Sequence, residues 1–187
     1  MSGAAFIKAV DNQLYITGNN GFYNLDQSMN FINTYAYSSA TYRGLYCNQT
    51  NRRFYAVSPT LNRIDIFDFN LKLLRSLTNS YTSNGLNGNL ISIYAGTSTG
   101  NIVVYRNESY VYRSFTSVCT ADVLSITIDA SGFMYVSCNA PENLLKVFHV
   151  NGANTGITLS TTGSTYQTSM DSKGRMVVFG ATFDIFY

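Results

Sequence analysis

Charge is the scarcest property of this chain: 12% of its 187 residues are Asp, Glu, Lys or Arg, about half the roughly 25% of an ordinary soluble domain. The formal charge of +2 is too small to argue for nucleic acid or an acidic membrane as a partner. Tryptophan is absent and proline occurs twice, so little interrupts the backbone pattern. The single histidine, His149, means that a His-dependent triad or a histidine zinc site would have to be built around one imidazole. No run of eighteen apolar residues exists, which excludes a membrane-spanning helix. The opening Met1-Ser-Gly-Ala-Ala-Phe-Ile-Lys8 lacks a basic stretch followed by seven or more apolar residues and does not read as a secretory leader. The compartment is left as intracellular, or extracellular with a leader missing.

Cysteine is also sparse. Cys47, Cys119 and Cys138 are too few for a disulfide scaffold and leave at least one thiol unpaired. Cys138 ends a predicted strand and Cys119 precedes that strand's hairpin partner, so those two can be bridged. The simpler expectation is three small buried hydrophobes. Asn48-Gln-Thr50 and Asn107-Glu-Ser109 match the glycosylation acceptor pattern, which matters only in a eukaryotic secreted protein.

What the chain does have is aromatic residues and a period. Fifteen Tyr and twelve Phe suit a pleated surface. Five segments, Gln13 to Thr17, Arg53 to Val57, Ile91 to Ala95, Phe133 to Ser137 and Arg175 to Phe179, align on Tyr15, Tyr55, Tyr94, Tyr135 and Val177 with steps of 40, 39, 41 and 42 residues. A second series, Leu25, Phe67, Tyr105, Phe148 and Phe186, closes alternating apolar runs at steps of 42, 38, 43 and 38. That period, with several short strands per unit and no helical stretch, predicts an all-β fold, a β-propeller of about five four-stranded antiparallel blades.

The fourth unit shows the pattern most fully: Val123 to Ile128 alternates, Asp129-Ala-Ser-Gly132 supplies a type I turn, and Phe133 to Ser137 returns. Asp171-Ser-Lys-Gly174 repeats the turn, and Asp26 and Asp68 are expected to start turns into the outer strands. The units fall at about 4–37, 42–78, 83–116, 123–161 and 166–187, read as one domain. Outer strands are expected at Asn30 to Tyr37, Leu71 to Thr78, Tyr110 to Thr116 and Ile157 to Thr161. The third unit's first strand, near Leu86, is expected to be short or bulged. The last unit stops in its third strand, so the last blade is incomplete and Phe183, Ile185, Phe186 and Tyr187 form a candidate assembly edge. A closed five-blade ring, a piece of a longer propeller and a subunit completed by another chain each account for that ending.

Chemistry is thin. His149 is expected to be a solvent-facing strand residue, and Asp129 and Asp171 turn formers. Asn19, Asn20, Asn62, Asp122, Asn139, Glu142 and Asn143 lie in predicted loops where a calcium-dependent lactonase-type hydrolase would hold its ion, but exposed turns favour the same residue types. Arg43, Arg52, Arg53, Arg63, Lys72 and Arg75 concentrate in the second unit at opposite ends of its strands, so they read as solubilising charge rather than a nucleic-acid stripe. Tyr42, Tyr81 and Tyr166 lie near connections into first strands, where ring faces could stack on sugars. They do not occupy matching repeat positions.

Gly44-Leu-Tyr-Cys-Asn-Gln-Thr-Asn-Arg-Arg-Phe-Tyr-Ala-Val57, followed by Asn62-Arg-Ile-Asp-Ile-Phe-Asp68, resembles an NHL-type repeat. Gly100 to Tyr105, Asn143 to Phe148 and Gly21 to Asp26 keep the outline without the Asn-Arg-Ile. The resemblance implies a scaffold for proteins or RNA. The expected function is therefore a noncatalytic platform for protein recognition or self-association, without cofactor, metal or membrane insertion. Its candidate loop site is Tyr42, Asn62, Arg63, Tyr81, Asp122, Asn143 and Tyr166. A glycan-binding propeller and a viral or cell-surface structural subunit are the alternatives.

Overall fold

The structure, a computed structural model, describes all residues except 1–3, 79–81, 162–164, 172, 181, 182 and 187. The described residues form five antiparallel sheets, and none of their helices is long and apolar enough to cross a membrane. They pack as two compact units, Met1–Thr82 with Asn89–Ile91, and Ser83–Gly88 with Ser92–Tyr187.

The first unit holds two sheets. One contains β1 (Ala4–Val10), β2 (Gln13–Leu25) and β3 (Phe31–Thr41). The other contains β4 (Arg43–Asn48), β5 (Arg53–Ser58), β6 (Arg63–Asp68) and β7 (Leu73–Thr78), with a 3-10 turn at Pro59–Leu61 between β5 and β6. The loop expected at Asn19 and Asn20 is not present. The thirteen-residue β2 runs through it, pairing with β1 in its first half and with β3 from Asn19 onward. Asn20 takes a positive φ of 64°, a conformation asparagine tolerates, so the chain bends without leaving the ladder. The core is aromatic: Tyr15, Phe22, Tyr42, Phe54 and Phe67 are buried together, with Tyr15 and Phe54 ring centroids 4.2 Å apart. Each such ring contributes about 1.5–3 kcal/mol of burial.

The second unit holds three sheets. The first runs in the order β11 (Tyr110–Phe115), β10 (Ile102–Arg106), β9 (Ser92–Thr97), β8 (Thr82–Gly88). The next contains β12 (Val123–Ile128), β13 (Phe133–Cys138), β14 (Leu144–His149) and β15 (Asn154–Ser160). The last contains β16 (Thr165–Met170), β17 (Met176–Gly180) and β18 (Phe183–Phe186). Its larger core is mostly aliphatic, with Ile102, Val104, Val123, Ile126, Met134 and Val136. β8 is a full seven-residue strand, and its Gly85 serves close approach: a Cβ there would lie 2.9 Å from the Val123 side chain.

The turn chemistry follows the sequence. Asp129 Oδ1 accepts from the Ser131 and Phe133 amides at 2.9 and 2.8 Å, and Asp171 Oδ1 accepts from Lys173 and Arg175 at 2.8 and 2.9 Å. Asp26 and Asp68 make the same pair of bonds at the entry to their outer strands. These carboxylates are occupied in holding turns.

Candidate functional site

The predicted site residues of the first unit lead to one buried carboxylate. Asp65 on β6 has no exposure. It accepts from the Tyr42 hydroxyl, from Ser76 Oγ at 2.5 Å, and from Arg63 Nε and Nη2 at 3.1 and 2.9 Å. Burial, and then the Asp65 carboxylate, hold the Tyr42 hydroxyl proton well above the ordinary tyrosine range. Arg63 spans between this acid and the Tyr37 ring, 5.2 Å from its centroid. Tyr42 is itself fully buried, so its ring offers no face to a ligand. Asn62 is exposed and closes the 3-10 turn in a left-handed conformation, φ 48°.

In the second unit the Asp122 carbonyl accepts from the Asn139 amide at 2.9 Å. Asn143 takes φ 49°, and its buried Oδ1 has no hydrogen-bond partner among the described residues. Tyr166 is the extra residue of an irregularity in β16, between the pairs Thr165 with Gly180 and Gln167 with Phe179. Tyr81 and Tyr187 lie outside the described residues. Of the assembly edge, Phe183 stands opposite Phe179, Ile185 is 37% exposed, and Phe186 packs inward against Leu145, Met176 and Val178. His149 is exposed on β14 with its ring against Phe133.

The cysteines correct the simpler expectation. Cys119 and Cys138 are bridged, with Cα atoms 5.4 Å apart, and only Cys47 is free. Cys119, Cys138 and Glu142 form the one group of potential metal ligands found among the described residues. The bridge uses both thiolates, and a metal needs them ionised and free. Glu142 is engaged as well, with Lys146 Nζ at 2.7 Å and the Thr120 amide at 3.1 Å.

A feature of the outer strands was not anticipated. Opposite the last apolar residue of the third strand, each outer strand carries a register shift. Leu25 faces Phe31 while Asn24 faces Asn33, which makes Ile32 the extra residue. By the same counting Leu74 is extra in β7 and Tyr112 in β11, and β15 shifts between Lys146 and Phe148. A bulge re-aims the side chain at the inserted position. The inserted residues of β3, β7 and β11 are large and apolar yet exposed, Ile32 49%, Leu74 41% and Tyr112 47%; in β15 the residues Thr155, Gly156 and Ile157 stand opposite Val147, and Ile157 is 53% exposed. Their counterparts Leu25, Phe67, Tyr105 and Phe148 are buried and are the second periodic series of the sequence. The guanidinium carbons of Arg106 on β10 and Arg113 on β11 lie 4.9 and 5.0 Å from the Tyr112 ring centroid.

Solved structures with this architecture exist. The Pan2 WD40 domain of Neurospora crassa superposes with a TM-score of 0.73 at 12% identity, covering 95% of this chain and 58% of that one. The WD40 β-propeller domain of Doa1 superposes with a TM-score of 0.74 at 11% identity, covering 92% of this chain and 58% of that one. The fold is a β-propeller. The five sheets are its blades, and the last contains three strands. This propeller chain spans somewhat over half the length of the domains it resembles. No family model and no curated protein sequence matches it.

Proposed function

We propose that this propeller is a noncatalytic scaffold that engages other protein chains, copies of itself included, through the side chains of its outer strands. The observation that carries this reading is the recurrence of an exposed apolar residue at the one-residue bulge of three outer strands, Ile32, Leu74 and Tyr112, with exposed Ile157 inside the longer irregularity of β15. One exposed apolar residue needs no explanation; the same placement in three blades does. On β11 the apolar surface extends to Tyr110 and Val111, 51% and 53% exposed, and Tyr and Arg are the residue types enriched at interaction hot spots. The acids near hand support the noncatalytic part, because Asp65 is saturated by donors and Asp129 and Asp171 hold turns. We assign the repeats to the NHL type on Asn62-Arg-Ile64 and its flanking strands, and read 1–187 as one propeller domain. The Asn62 and Arg63 turn and the β18 edge at Phe183, Ile185 and Phe186 are secondary contact points.

Light scattering after size exclusion, over a range of concentrations, tests the proposal. Self-association that Tyr110→Glu with Tyr112→Glu abolishes, leaving a folded monomer, is the expected result. Self-association that survives that pair and the equivalent Ile32→Glu and Leu74→Glu refutes the outer-strand reading.

A further inference from the structure

Three turns of the first unit enclose a groove of about 490 Å³, a size that suits a small organic ligand. Asp11 and Asn12 come from the β1–β2 turn, Gln27 from the turn after β2 and Gln49 from the turn after β4. Val10 and Leu14 supply apolar surface, and Gln13 completes the lining.

Gln13 carries the argument. Its Oε1 accepts from Asn24 Nδ2 at 2.9 Å and lies 2.8 Å from the Tyr15 hydroxyl. Tyr15 and Asn24 are 2% and 3% exposed, and the Tyr15 hydroxyl also reaches the Phe69 carbonyl at 3.1 Å. Two buried polar side chains thus fix which way one amide faces. Asn24 itself does not line the groove; it acts there only through the Gln13 amide it holds. With Oε1 taken, the two N–H groups of Gln13 Nε2 have no acceptor among the described residues and are held ready to donate. A donor oriented before its ligand arrives loses little entropy on binding.

The rest of the lining defines the ligand. Asp11 is its one carboxylate, and Arg52 balances it at 3.4 Å, so the groove presents no uncompensated charge. Asn12, Gln27 and Gln49 each offer donors and an acceptor, the complement of vicinal hydroxyls, which also do both. No aromatic ring lines the groove, so a ligand there is held by hydrogen bonds rather than by ring stacking. We infer that this groove binds a neutral polyhydroxylated ligand, a hexose or N-acetylhexosamine unit, with Gln13 as its oriented donor.

Saturation-transfer NMR on the full chain tests this with the methyl glycosides of glucose, galactose, mannose and N-acetylglucosamine, and with glucuronate as the charged comparison. At least one neutral glycoside is expected to bind at millimolar concentration and more tightly than glucuronate. Gln13→Leu is expected to weaken it about tenfold, the loss of one well-placed hydrogen bond or more. Gln27→Ala with Gln49→Ala touches only exposed side chains and should weaken it severalfold even if Gln13→Leu perturbs folding. The site is independent of the outer strands, so Tyr110→Glu with Tyr112→Glu should leave sugar binding unchanged. No transfer to any neutral glycoside, tighter binding of glucuronate, or binding that survives the Gln27 and Gln49 pair overturns the assignment.

Discussion

The Tyr42 hydroxyl donates a hydrogen bond to Asp65, a carboxylate that solvent does not reach. Tyr42 lies between β3 and β4 and Asp65 on β6, and Ser76 and Arg63 complete the acid's shell from β7 and β6. Removing the acid takes the acceptor from three donor side chains. Asp65→Ala is therefore expected to cost about 3 kcal/mol, whereas Tyr42→Phe, which removes one donor and keeps the ring, should cost about 1–2 kcal/mol. Urea unfolding of both variants checks the order; equal effects would mean that the network is not organised on Asp65.

The Cys119–Cys138 bridge closes a separation of 19 residues. Loop closure of that length constrains the unfolded chain by about 3 kcal/mol. Reduction, or Cys119→Ser with Cys138→Ser, should lower the urea midpoint accordingly without changing the strand signal in circular dichroism. An unchanged midpoint would show that the bridge contributes nothing in solution.

Gly100 and Gly156 both take positive φ, 76° and 77°. A Cβ on Gly100 would lie 2.0 Å from the Cys119 carbonyl oxygen, while one on Gly156 would meet nothing within 4 Å. Gly156→Ala should cost about 1 kcal/mol, the backbone preference alone. Gly100→Ala adds a backbone clash and should cost about 3 kcal/mol or more. Thermal melts of the pair separate conformational preference from packing.

Burial pushes the Cys47 thiol from an ordinary 9.0 up to about 11, and the Tyr46 and Tyr105 hydroxyls from 10.0 up to about 12. The folded protein therefore keeps protons that the unfolded chain releases. Between pH 9 and 12 the folded state binds more protons than the unfolded one, so stability falls as pH rises through that window and is unaffected by these groups below it. Iodoacetamide should label Cys47 slowly at pH 8 and much faster above pH 10. Labelling at pH 8 as fast as that of a free thiol would contradict the burial.

The period of Tyr15, Tyr55, Tyr94, Tyr135 and Val177 located the second strand of every sheet, because alternation and turn residues are local properties of the chain. The Asp-x-x-Gly turns were legible for the same reason. The fused strand through Asn19 and Asn20 was not, since a polar Gly-Asn-Asn-Gly stretch reads as a loop until the ladder on both sides is visible. Tyr42 looked like a loop aromatic because nothing local announces a buried acid 23 residues away. The groove was hidden more deeply: Gln13, Gln27 and Gln49 belong to separate turns, and the orientation of Gln13 depends on Tyr15 and on Asn24 farther along the same strand. The bulges were not legible either, because the drift between the two periodic series arises in the second and third strands, while the inserted residues lie in the outer strands that follow.

Those bulges also bear on what the outer strands avoid. A straight, apolar edge strand is a template on which another strand can extend a sheet without limit. An inserted residue twists the edge out of register with any incoming copy while keeping Ile32, Leu74 and Tyr112 turned outward. Substituting these side chains would thus change the apolar surface the blades present, with the resistance to fibrous growth held separately in the backbone.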